Sequence, residues 1–470
     1  MGFHGRRLEL KALNDAWSSG RSGFIPIYGR RRVGKSELIV HFMRNRPGLY
    51  FVGKRAPGQA QVAEFLEAAA RVLNEPLLAR AGEISWKEAL ELVAERSPKD
   101  GKFILALDEF QWIVEASPEL PSILQELWDR SWSRSGRMLL ILCGSYVGFM
   151  EREVLGSRSP LFGRRSGQIL LKPFNHIEAA RFHPHLSIGD QARIYGLCGG
   201  IPAYLLEFDE RLSVEQNIVR RVLNDTSPLA REPDFLLREE LRDLAPYHAI
   251  LMALAEGLAT PTKIAKATGL DVRALPHFLN ALTGLGYVQR RHPLTESAPN
   301  PRAVRYALDD PLLRFWFRFI FPHQSTLRFL GPERGFAEIV RPGLDSYFGL
   351  CFERLCRETL PLIYVAEGVT ASFEIGEYWD PQVQIDVVGF RRDNWTDLGE
   401  CKWGNVASLS SLSAELAEKV PRYPNARNAS ICRRLFVKSF KTKTPRFPSG
   451  VRLHTLEDLY VMDDGPGAAV

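Results

Sequence analysis

The sequence predicts an α/β protein built from several domains, and three observations lead to that prediction. The chain has 470 residues, more than one compact core usually holds, so about three domains are expected. Short apolar runs alternate with amphipathic stretches over residues 1 to 170, which is typical of a mostly parallel sheet covered by helices on both faces. A second set of strand and helix patterns begins near residue 315.

Composition and charge are those of an ordinary globular protein, with 45% hydrophobic residues, 25% charged residues and a formal net charge of +6. This mildly basic balance is compatible with a nucleic-acid partner without requiring one. The longest apolar stretch, residues 138–150, is shorter than the roughly 20 residues of a bilayer span, and the N-terminal pattern is not that of a signal peptide. The six cysteines form no C-x-x-C pair. We therefore expect a cytoplasmic protein without membrane attachment.

The clearest motif occupies residues 29–36, which read Gly-Arg-Arg-Arg-Val-Gly-Lys-Ser. It follows an apolar strand pattern and opens a helix pattern, which is the context of a phosphate-binding P-loop. Main-chain N–H groups of such a loop bind nucleotide phosphates together with the helix N-terminus. Lys35 is expected to reach the β- and γ-phosphates and Ser36 to hold Mg²⁺. The predicted nucleotide-binding residues of this loop are Gly29, Arg32, Val33, Gly34, Lys35, Ser36 and Glu37.

A second acidic motif completes the predicted nucleotide site. The apolar strand pattern at residues 103–107 ends in Asp108 and Glu109. An acid at the C-terminal end of a buried strand lies beside the phosphates in this class of fold. Asp108 is expected to bind Mg²⁺ through water, and Glu109 to orient and deprotonate the attacking water. The predicted cofactors are ATP and Mg²⁺, and Lys35 and Glu109 are the predicted catalytic residues of an ATPase.

These motifs resemble those of the archaeal-type ATPases of the STAND class, relatives of the AAA+ proteins, over residues 1 to about 310. Four further patches carry the resemblance: residues 3–10, Leu-Cys-Gly-Ser at 142–145, Leu-Phe-Gly-Arg-Arg at 161–165, and Gly-Gly-Ile-Pro at 199–202. The resemblance implies an adenine contact, a sensor near the γ-phosphate, a basic element and a lid proline. The residues in these roles are Gly5, Arg6, Ser145, Arg164 and Pro202. It also implies ATP-linked assembly into a homo-oligomer.

Each of these four patches has a plainer explanation as well. Gly5 and Arg6 suit the start of a helix, Ser145 suits a strand turn, Arg164 suits a solvated basic pair, and residues 199–202 suit a helix stop.

Residues 239–312 carry three helix patterns followed by a basic hairpin pattern, which together predict a winged helix-turn-helix. The recognition helix is predicted at residues 270–285, with Arg273, His277 and Asn280 exposed. DNA phosphates are the predicted ligands of the wing cations, which are Arg290, Arg291, His292, Arg302 and Arg305. A purely structural switch domain that packs against the ATPase is the open alternative.

The last third of the chain supplies a separate constellation of three acids and a lysine. Asp386 lies within an apolar strand pattern, and Glu400 and Lys402 lie two residues apart in the next strand, so the latter pair shares one face. Glu353 lies on the preceding helix pattern. Carboxylates with open water positions suit Mg²⁺, and Lys402 could then act on the attacking water beside a phosphodiester.

This constellation resembles the PD-(D/E)XK nuclease fold, and the region from about 315 to 460 also resembles the domain that commonly trails archaeal-type ATPases. The resemblance implies that Asp386, Glu400 and Lys402 are catalytic and that Glu353, Asp386 and Glu400 bind the metal. The first motif departs from the usual Pro-Asp, because residue 385 is isoleucine. Either Lys419 or Arg422 could fill the second-helix position. A chance salt-bridged hairpin and an inactive nuclease fold stay open as alternatives.

The predicted organisation is a P-loop ATPase core at 1–170, a helical lid at 171–238, a winged helix at 239–312, a restriction-endonuclease-like α/β domain at 313–460 and a flexible tail at 461–470. The leading functional hypothesis is an ATP-driven switch coupled to DNA binding and metal-dependent DNA cleavage. A regulatory switch or scaffold without nuclease activity is the second hypothesis. A transcription factor that uses only the winged helix is the third.

Overall fold

The computed structural model describes residues 3–296, 300, 303–440 and 450–461. The chain divides into two compact units, Met1–Pro173 and Phe174–Val470. Arg302 of the predicted wing and residues 462–470 of the predicted tail lie outside the described residues. Within those described ranges, no helix combines the length and the apolar character that crossing a bilayer requires.

A parallel five-stranded sheet forms the centre of the first unit. Its strands are β1 (Gly23–Tyr28), β2 (Gly48–Val52), β3 (Phe103–Asp108), β4 (Met138–Gly144) and β5 (Ile169–Leu170). Their order across the sheet is β2-β3-β4-β1-β5, and every pair is parallel. Because β4 lies between β1 and β3, the two strands that lead into the predicted phosphate and acid motifs are not neighbours. All carboxyl ends nevertheless meet at one edge, where ligands bind in folds of this kind.

Helices cover both faces of this sheet, because alternate residues of β1, β3 and β4 belong to two separate apolar clusters. All residues of these three strands are buried, which explains why they read as continuous apolar runs. The helices of the first unit are Arg7–Ser18, Lys35–Met43, Gly58–Leu73, Pro76–Arg80 (a 3₁₀ turn), Trp86–Arg96, Phe110–Ala116, Leu120–Leu127, Trp128–Trp132 (π), Ser133–Ser135, Val147–Phe149 and Met150–Leu155 (π).

The second unit begins with helices and a short hairpin. Its first helices are His176–Ala180, Ile188–Cys198, Pro202–Leu205, Val214–Asn217, Ile218–Leu223 (π), Pro228–Glu240, Leu244–Ala255, Pro261–Thr268 and Leu275–Gly284. The antiparallel strands β6 (Val288–Arg291) and β7 (Arg305–Leu308) follow. Three helices and a two-stranded hairpin therefore occupy the region where the winged helix is predicted.

A mixed sheet of five strands lies at the end of the second unit. Its strands are β8 (Phe373–Trp379), β9 (Gln384–Arg391), β10 (Trp395–Val406), β11 (Ser430–Phe440) and β12 (Val451–Thr455), in the order β12-β11-β10-β9-β8. Strands β8, β9 and β10 pair with one another in antiparallel fashion, whereas β11 pairs parallel with β10 and β12 pairs parallel with β11. The accompanying helices are Pro311–Phe315, Trp316–Ile320 (π), Phe321–His323 (3₁₀), Gln324–Gly335, Phe336–Val340 (π), Arg341–Ala366, Leu409–Lys419, Val420–Arg422 (3₁₀) and Leu456–Val461.

One predicted element is wrong. The sequence pattern predicts a strand from Tyr364 to Glu374, whereas the helix Arg341–Ala366 continues through Tyr364 and the strand begins at Phe373. Leu360, Ile363 and Tyr364 are all buried, at the i, i+3 and i+4 spacing of one helix face. That burial continues the helix across a stretch whose β-branched and aromatic residues favour a strand.

Candidate functional site

The loop between β1 and the helix Lys35–Met43 has the main-chain shape of an anion-binding nest. Arg32 and Gly34 have φ of 65° and 90°, left-handed values of the kind found in loops whose main chain curves around an anion. A Cβ on Gly29 would lie 2.3 Å from the carbonyl oxygen of Leu171, so only glycine fits there. The Val33 side chain is fully buried in the core, which leaves its main chain for a ligand.

Lys35 is buried at the start of this helix, and its ammonium group is held by the loop itself. Nζ donates hydrogen bonds to the carbonyl oxygens of Gly29 and Arg30, both at 2.9 Å. Burial lowers the pKa of Lys35, and the nearby carboxylates of Asp108 and Glu109 act in the opposite direction. A cation restrained inside a phosphate-shaped loop is poised to exchange carbonyl oxygens for phosphate oxygens.

The Asp108 carboxylate collects three donors at the carboxyl edge of the sheet. Its Oδ2 accepts from Ser36 Oγ at 2.6 Å and from the Tyr50 hydroxyl at 2.6 Å, and its Oδ1 accepts from the Glu109 N–H at 2.8 Å. Burial and then Asp108 raise the pKa of Tyr50, so the phenol remains a donor. A hydroxyl and a buried carboxylate in contact form a donor set that suits Mg²⁺. Sequence reasoning missed Tyr50.

Glu109 lies at the same edge, in an unusual main-chain conformation. Its φ is 49°, a left-handed value that costs a non-glycine residue energy and therefore indicates constraint from its surroundings. The carboxylate accepts a hydrogen bond from Ser145 Oγ at 2.7 Å and another from the Gln111 amide. The predicted sensor Ser145 thus contacts Glu109, and Gln111 is a second missed residue. Ser145 follows the end of the neighbouring strand β4, and Gln111 lies on the helix Phe110–Ala116 directly after Glu109.

The N-terminal patch packs on the back of the phosphate loop. Gly5 and Arg6 have positive φ values of 63° and 59°, and Arg6 precedes the first helix. The Arg6 guanidinium donates to the carbonyl oxygen of Val33 at 2.8 Å and to that of Lys172 at 2.8 Å. Arg6 therefore holds the loop main chain in place. Glu37 is exposed on the first turn of the helix that follows the loop.

Arg164 and Pro202 are two further predicted nucleotide-binding residues. The Arg164 guanidinium binds both carboxylate oxygens of Asp129, at 2.8 and 2.7 Å, and also donates to the carbonyl oxygens of Pro160 and Phe162. All three of its nitrogens are thus used in local contacts, and its role at the nucleotide stays a prediction. Pro202 begins the helix Pro202–Leu205 in the second unit, and its contact with the base stays a prediction.

The second unit brings the predicted carboxyl groups of its C-terminal part together in a largely buried position. Asp386 and Glu400 are only 8% and 3% exposed, and Asp386 Oδ2 accepts a hydrogen bond from the Cys401 N–H at 3.1 Å. Burial raises the pKa of both groups. Burial and the charge of Asp386 raise the pKa of Glu353 to about 7. The helix and the two strands thus bring these three carboxyl groups close to one another.

Two lysines balance part of this charge. Lys419 Nζ donates to Glu400 Oε2 at 2.6 Å, and Lys402 Nζ lies 3.5 Å from Glu400 Oε1. Burial opposes the charge of Lys402, but Glu400 and Glu415 raise its pKa. Arg422 instead donates to the carbonyl oxygen of Gln382, so Lys419 is the residue that reaches the cluster from the second helix.

This charge balance bears on the predicted metal ligands Glu353, Asp386 and Glu400. Across the described part of the chain, no group of three or more His, Cys, Asp and Glu side chains is arranged to hold a metal ion. Within the carboxylate cluster, the Lys419 ammonium occupies one oxygen of Glu400, and the Cys401 N–H occupies one oxygen of Asp386.

The predicted wing makes contacts within its own unit. Arg291 Nη1 lies 3.0 Å from Glu377 Oε1, and Arg305 lies over the Trp379 ring at 4.6 Å from its centroid. Both cations thus have partners on strand β8, and their contact with DNA phosphates stays a prediction. Arg290 is exposed, as are the recognition-helix candidates Arg273, His277 and Asn280.

Comparisons with known proteins match both ends of the chain. A family described as an ATPase domain predominantly from Archaea matches residues 3–208. A second family, described as archaeal and bacterial proteins of unknown function, matches residues 316–420.

Two individual relatives agree with the family matches. The chain is 30% identical over 412 residues to an uncharacterized protein of Methanocaldococcus jannaschii, covering 86% of this chain and 88% of that one. An uncharacterized ATP-binding protein of the same organism is 43% identical over 44 residues, which are 9% of this chain and 75% of that protein.

A solved structure supports the fold. The Walker-type ATPase of Pyrococcus abyssi aligns with a TM-score of 0.51 at 20% identity, over 67% of this chain and 96% of that chain. At that identity the likeness concerns the fold alone. The parallel sheet with its phosphate loop, the family match over residues 3–208 and the relative that spans most of the chain agree with one another. The chain belongs to the family of P-loop ATPases whose ATPase domain is found predominantly in Archaea.

Proposed function

We propose that this ATPase is a nucleotide-driven switch coupled to DNA binding and to divalent-metal-dependent cleavage of DNA by its C-terminal domain. One observation carries the proposal: Asp386 and Glu400 lie buried on neighbouring antiparallel strands, with Lys402 on the second strand and Glu353 on the preceding helix. A helix, three antiparallel strands, a crossover helix and a parallel strand surround this cluster, an arrangement that supports the nuclease-like interpretation.

The chemistry of the cluster supports a cation requirement. Three carboxylates with raised pKa values repel one another in a buried place, and a divalent cation would relieve that repulsion. Glu353, Asp386 and Glu400 are the residues that would hold the ion, after Lys419 leaves Glu400. The ion would polarise a phosphodiester and acidify a bound water. Lys402 is 43% exposed at its side chain, so its ammonium can approach a substrate phosphate.

In the ATPase unit, we assign roles from the contacts of the phosphate loop. Lys35 would bind the β- and γ-phosphates, and Ser36 and Asp108 would hold Mg²⁺. Glu109 would orient the attacking water, restrained by Ser145 and Gln111. A carboxylate held by two side-chain donors is oriented before substrate binds, which lowers the cost of positioning water.

Plasmid cleavage in Mg²⁺ or Mn²⁺ tests the proposal, with the parent compared with Lys402→Ala. A matched control is Lys438→Ala, because Lys438 lies on β11 of the same sheet and stacks over Trp403. We expect cleavage by the parent and the control, and its loss in Lys402→Ala. Absence of cleavage by the parent with every nucleotide and both metals would contradict the nuclease proposal.

A second function, a regulatory switch or scaffold without nuclease activity, is favoured by a separate observation. Lys402 and Lys419 already contact both oxygens of Glu400, so the cluster is partly neutralised by the chain's own cations. In this case ATP would drive self-association, and the C-terminal unit would bind a partner. Nucleotide-dependent change of mass in sedimentation velocity, together with no cleavage, would support this function over the first.

A further inference from the structure

A cavity of about 430 Å³ lies between the hairpin and the C-terminal sheet. One wall is the hairpin strand β6 with His292, another is the helix Arg341–Ala366, and the third is strand β8. We call it the basic cavity, and its lining residues include Arg290, Arg291, His292, Arg354, Arg357 and Glu377. The hairpin thus lines one charged space together with a helix and a strand that come later in the chain.

The hairpin wall is fixed rather than loosely apposed. The Leu294 N–H donates to the carbonyl oxygen of Glu377 at 2.8 Å, and the Tyr423 hydroxyl donates to the carbonyl oxygen of Leu294 at 3.2 Å. Arg291, which precedes Leu294 in the chain, forms an ion pair with Glu377. These contacts attach the hairpin to the edge strand β8, so the cavity is organised before any ligand arrives.

Positive charge exceeds negative charge around the basic cavity. Its acids already have arginine partners: Arg354 lies 2.6 Å from Glu358 and 3.1 Å from Asp309, and Glu377 pairs with Arg291 and with Arg357 at 3.9 Å. The excess falls on the exposed Arg290, for which the described residues contain no ion-pair partner.

His292 adds a polar group beside this excess charge. Its buried Nδ1 atom has no hydrogen-bond partner within the described ranges. An anion is therefore the ligand that this lining would stabilise.

The basic cavity adjoins the carboxylate cluster. Arg357, which lines it, donates to the carbonyl oxygen of Asp386 at 2.7 Å. Glu353 lies one helical turn before Arg357, and the charges of Arg357 and Glu377 both act on its carboxyl group. A polyanion with one charged group in the cavity would therefore present the next part of its chain to Glu353 and Asp386.

We propose that the basic cavity binds a backbone phosphate of a single nucleic-acid strand, with Arg290 and His292 of the hairpin as its recognition residues. A space of this volume accepts about one nucleotide and excludes a duplex, whose grooves need a larger surface. In this proposal the hairpin of the predicted wing binds a phosphate beside the C-terminal carboxylate cluster, and it does not enter a groove of duplex DNA. The step from binding to cutting rests on the proposed nuclease function, whereas the binding itself does not.

Fluorescence anisotropy with a short labelled single-stranded DNA tests the inference in the full chain. We expect the double variant Arg290→Ala, His292→Ala to bind about tenfold more weakly and with a shallower salt dependence. The control Arg334→Ala, an exposed cation of the helix Gln324–Gly335, should bind like the parent. Inorganic phosphate and ATP, added as competitors, separate a strand-specific site from one that takes any phosphate.

The outcomes distinguish the two proposals. Unchanged affinity in the double variant, no binding by the parent, or full displacement by inorganic phosphate at equal concentration overturns the strand-binding inference. If the parent binds as expected but never cleaves the DNA, the cavity assignment stands and the nuclease function fails. Thermal unfolding of the double variant checks the fold. We expect it to match the parent, because the described residues provide no side-chain hydrogen bond for Arg290 or His292.

Discussion

Replacing Tyr50 by phenylalanine should raise the Mg²⁺ requirement of ATP hydrolysis. The Tyr50 hydroxyl shares Asp108 Oδ2 with Ser36 Oγ, each at 2.6 Å. If Mg²⁺ is held by Ser36 and Asp108 as proposed, the Ser36 hydroxyl would face the metal, and Tyr50 would be the side-chain donor that keeps the carboxylate oriented. Tyr50→Phe removes this donor and keeps the aromatic ring.

The structure sets the expected size of the effect. A hydrogen bond to a charged group contributes roughly 1.5–3 kcal/mol. Asp108 keeps the Glu109 N–H as a second donor, at 2.8 Å, so the lower end of this range applies. About 1.5 kcal/mol corresponds to about a tenfold change in an equilibrium constant. We therefore expect the Mg²⁺ concentration for half-maximal turnover to rise about tenfold.

The assay is ATP hydrolysis at saturating ATP, titrated with Mg²⁺. Tyr28→Phe is the matched control, because Tyr28 is a buried tyrosine of the same sheet for which the structure gives no hydrogen bond to Asp108. Nucleotide affinity measured without metal should change little in either variant. An identical Mg²⁺ midpoint for the parent and Tyr50→Phe would refute the assignment of Tyr50 as a positioning residue.

Three further predictions concern other charged groups. Glu109→Gln should bind ATP normally but turn it over about 10²–10⁴-fold more slowly; hydrolysis at the parental rate would show that Glu109 has another role. The pKa of Glu353 is raised from 4.5 to about 7, so the folded state keeps a proton that the unfolded state releases, and stability falls as pH rises between these values. Glu353→Gln should flatten this decline, add on the order of 1–2 kcal/mol to the free energy of unfolding at pH 8, and abolish stabilisation of the protein by Mn²⁺. Thermal unfolding curves of the variant that match those of the parent at every pH would contradict this prediction. Arg6→Ala removes two hydrogen bonds to main-chain carbonyls and should cost about 2 kcal/mol in urea unfolding of the first unit; a loss no larger than that of the exposed Lys11→Ala would argue against it.

The nucleotide motifs could be predicted from the sequence because their information is local. Gly29 to Ser36 sets a loop shape over eight consecutive residues, and Asp108 and Glu109 directly follow an apolar strand. The Asp386 and Glu400 pair could also be predicted, because a short antiparallel hairpin leaves few ways to pair two strands.

The missed residues depend on distant partners. Tyr50 reaches Asp108 only because β2 and β3 pair in parallel with Tyr50 opposite Ala106, a register that no local pattern encodes. The ion pair of Arg164 with Asp129, 35 residues earlier, likewise could not be read from a local pattern.

The wing shows the same dependence on distant partners. Arg291 and Arg305 resemble DNA-binding cations in sequence, but residues of β8, much later in the chain, engage both. Exposed charge could be predicted at the hairpin, whereas the partner of that charge required the fold.

Isothermal titration of ATP in the presence of Mg²⁺, with the parent and Lys35→Ala, tests the central claim most directly. If the main-chain nest and the restrained Lys35 ammonium bind the triphosphate, the parent will show saturable heat of binding, and most of that affinity will be absent from the variant. A parent that releases no heat and shows no affinity for ATP, or a Lys35→Ala protein that binds ATP as tightly as the parent, would contradict the account.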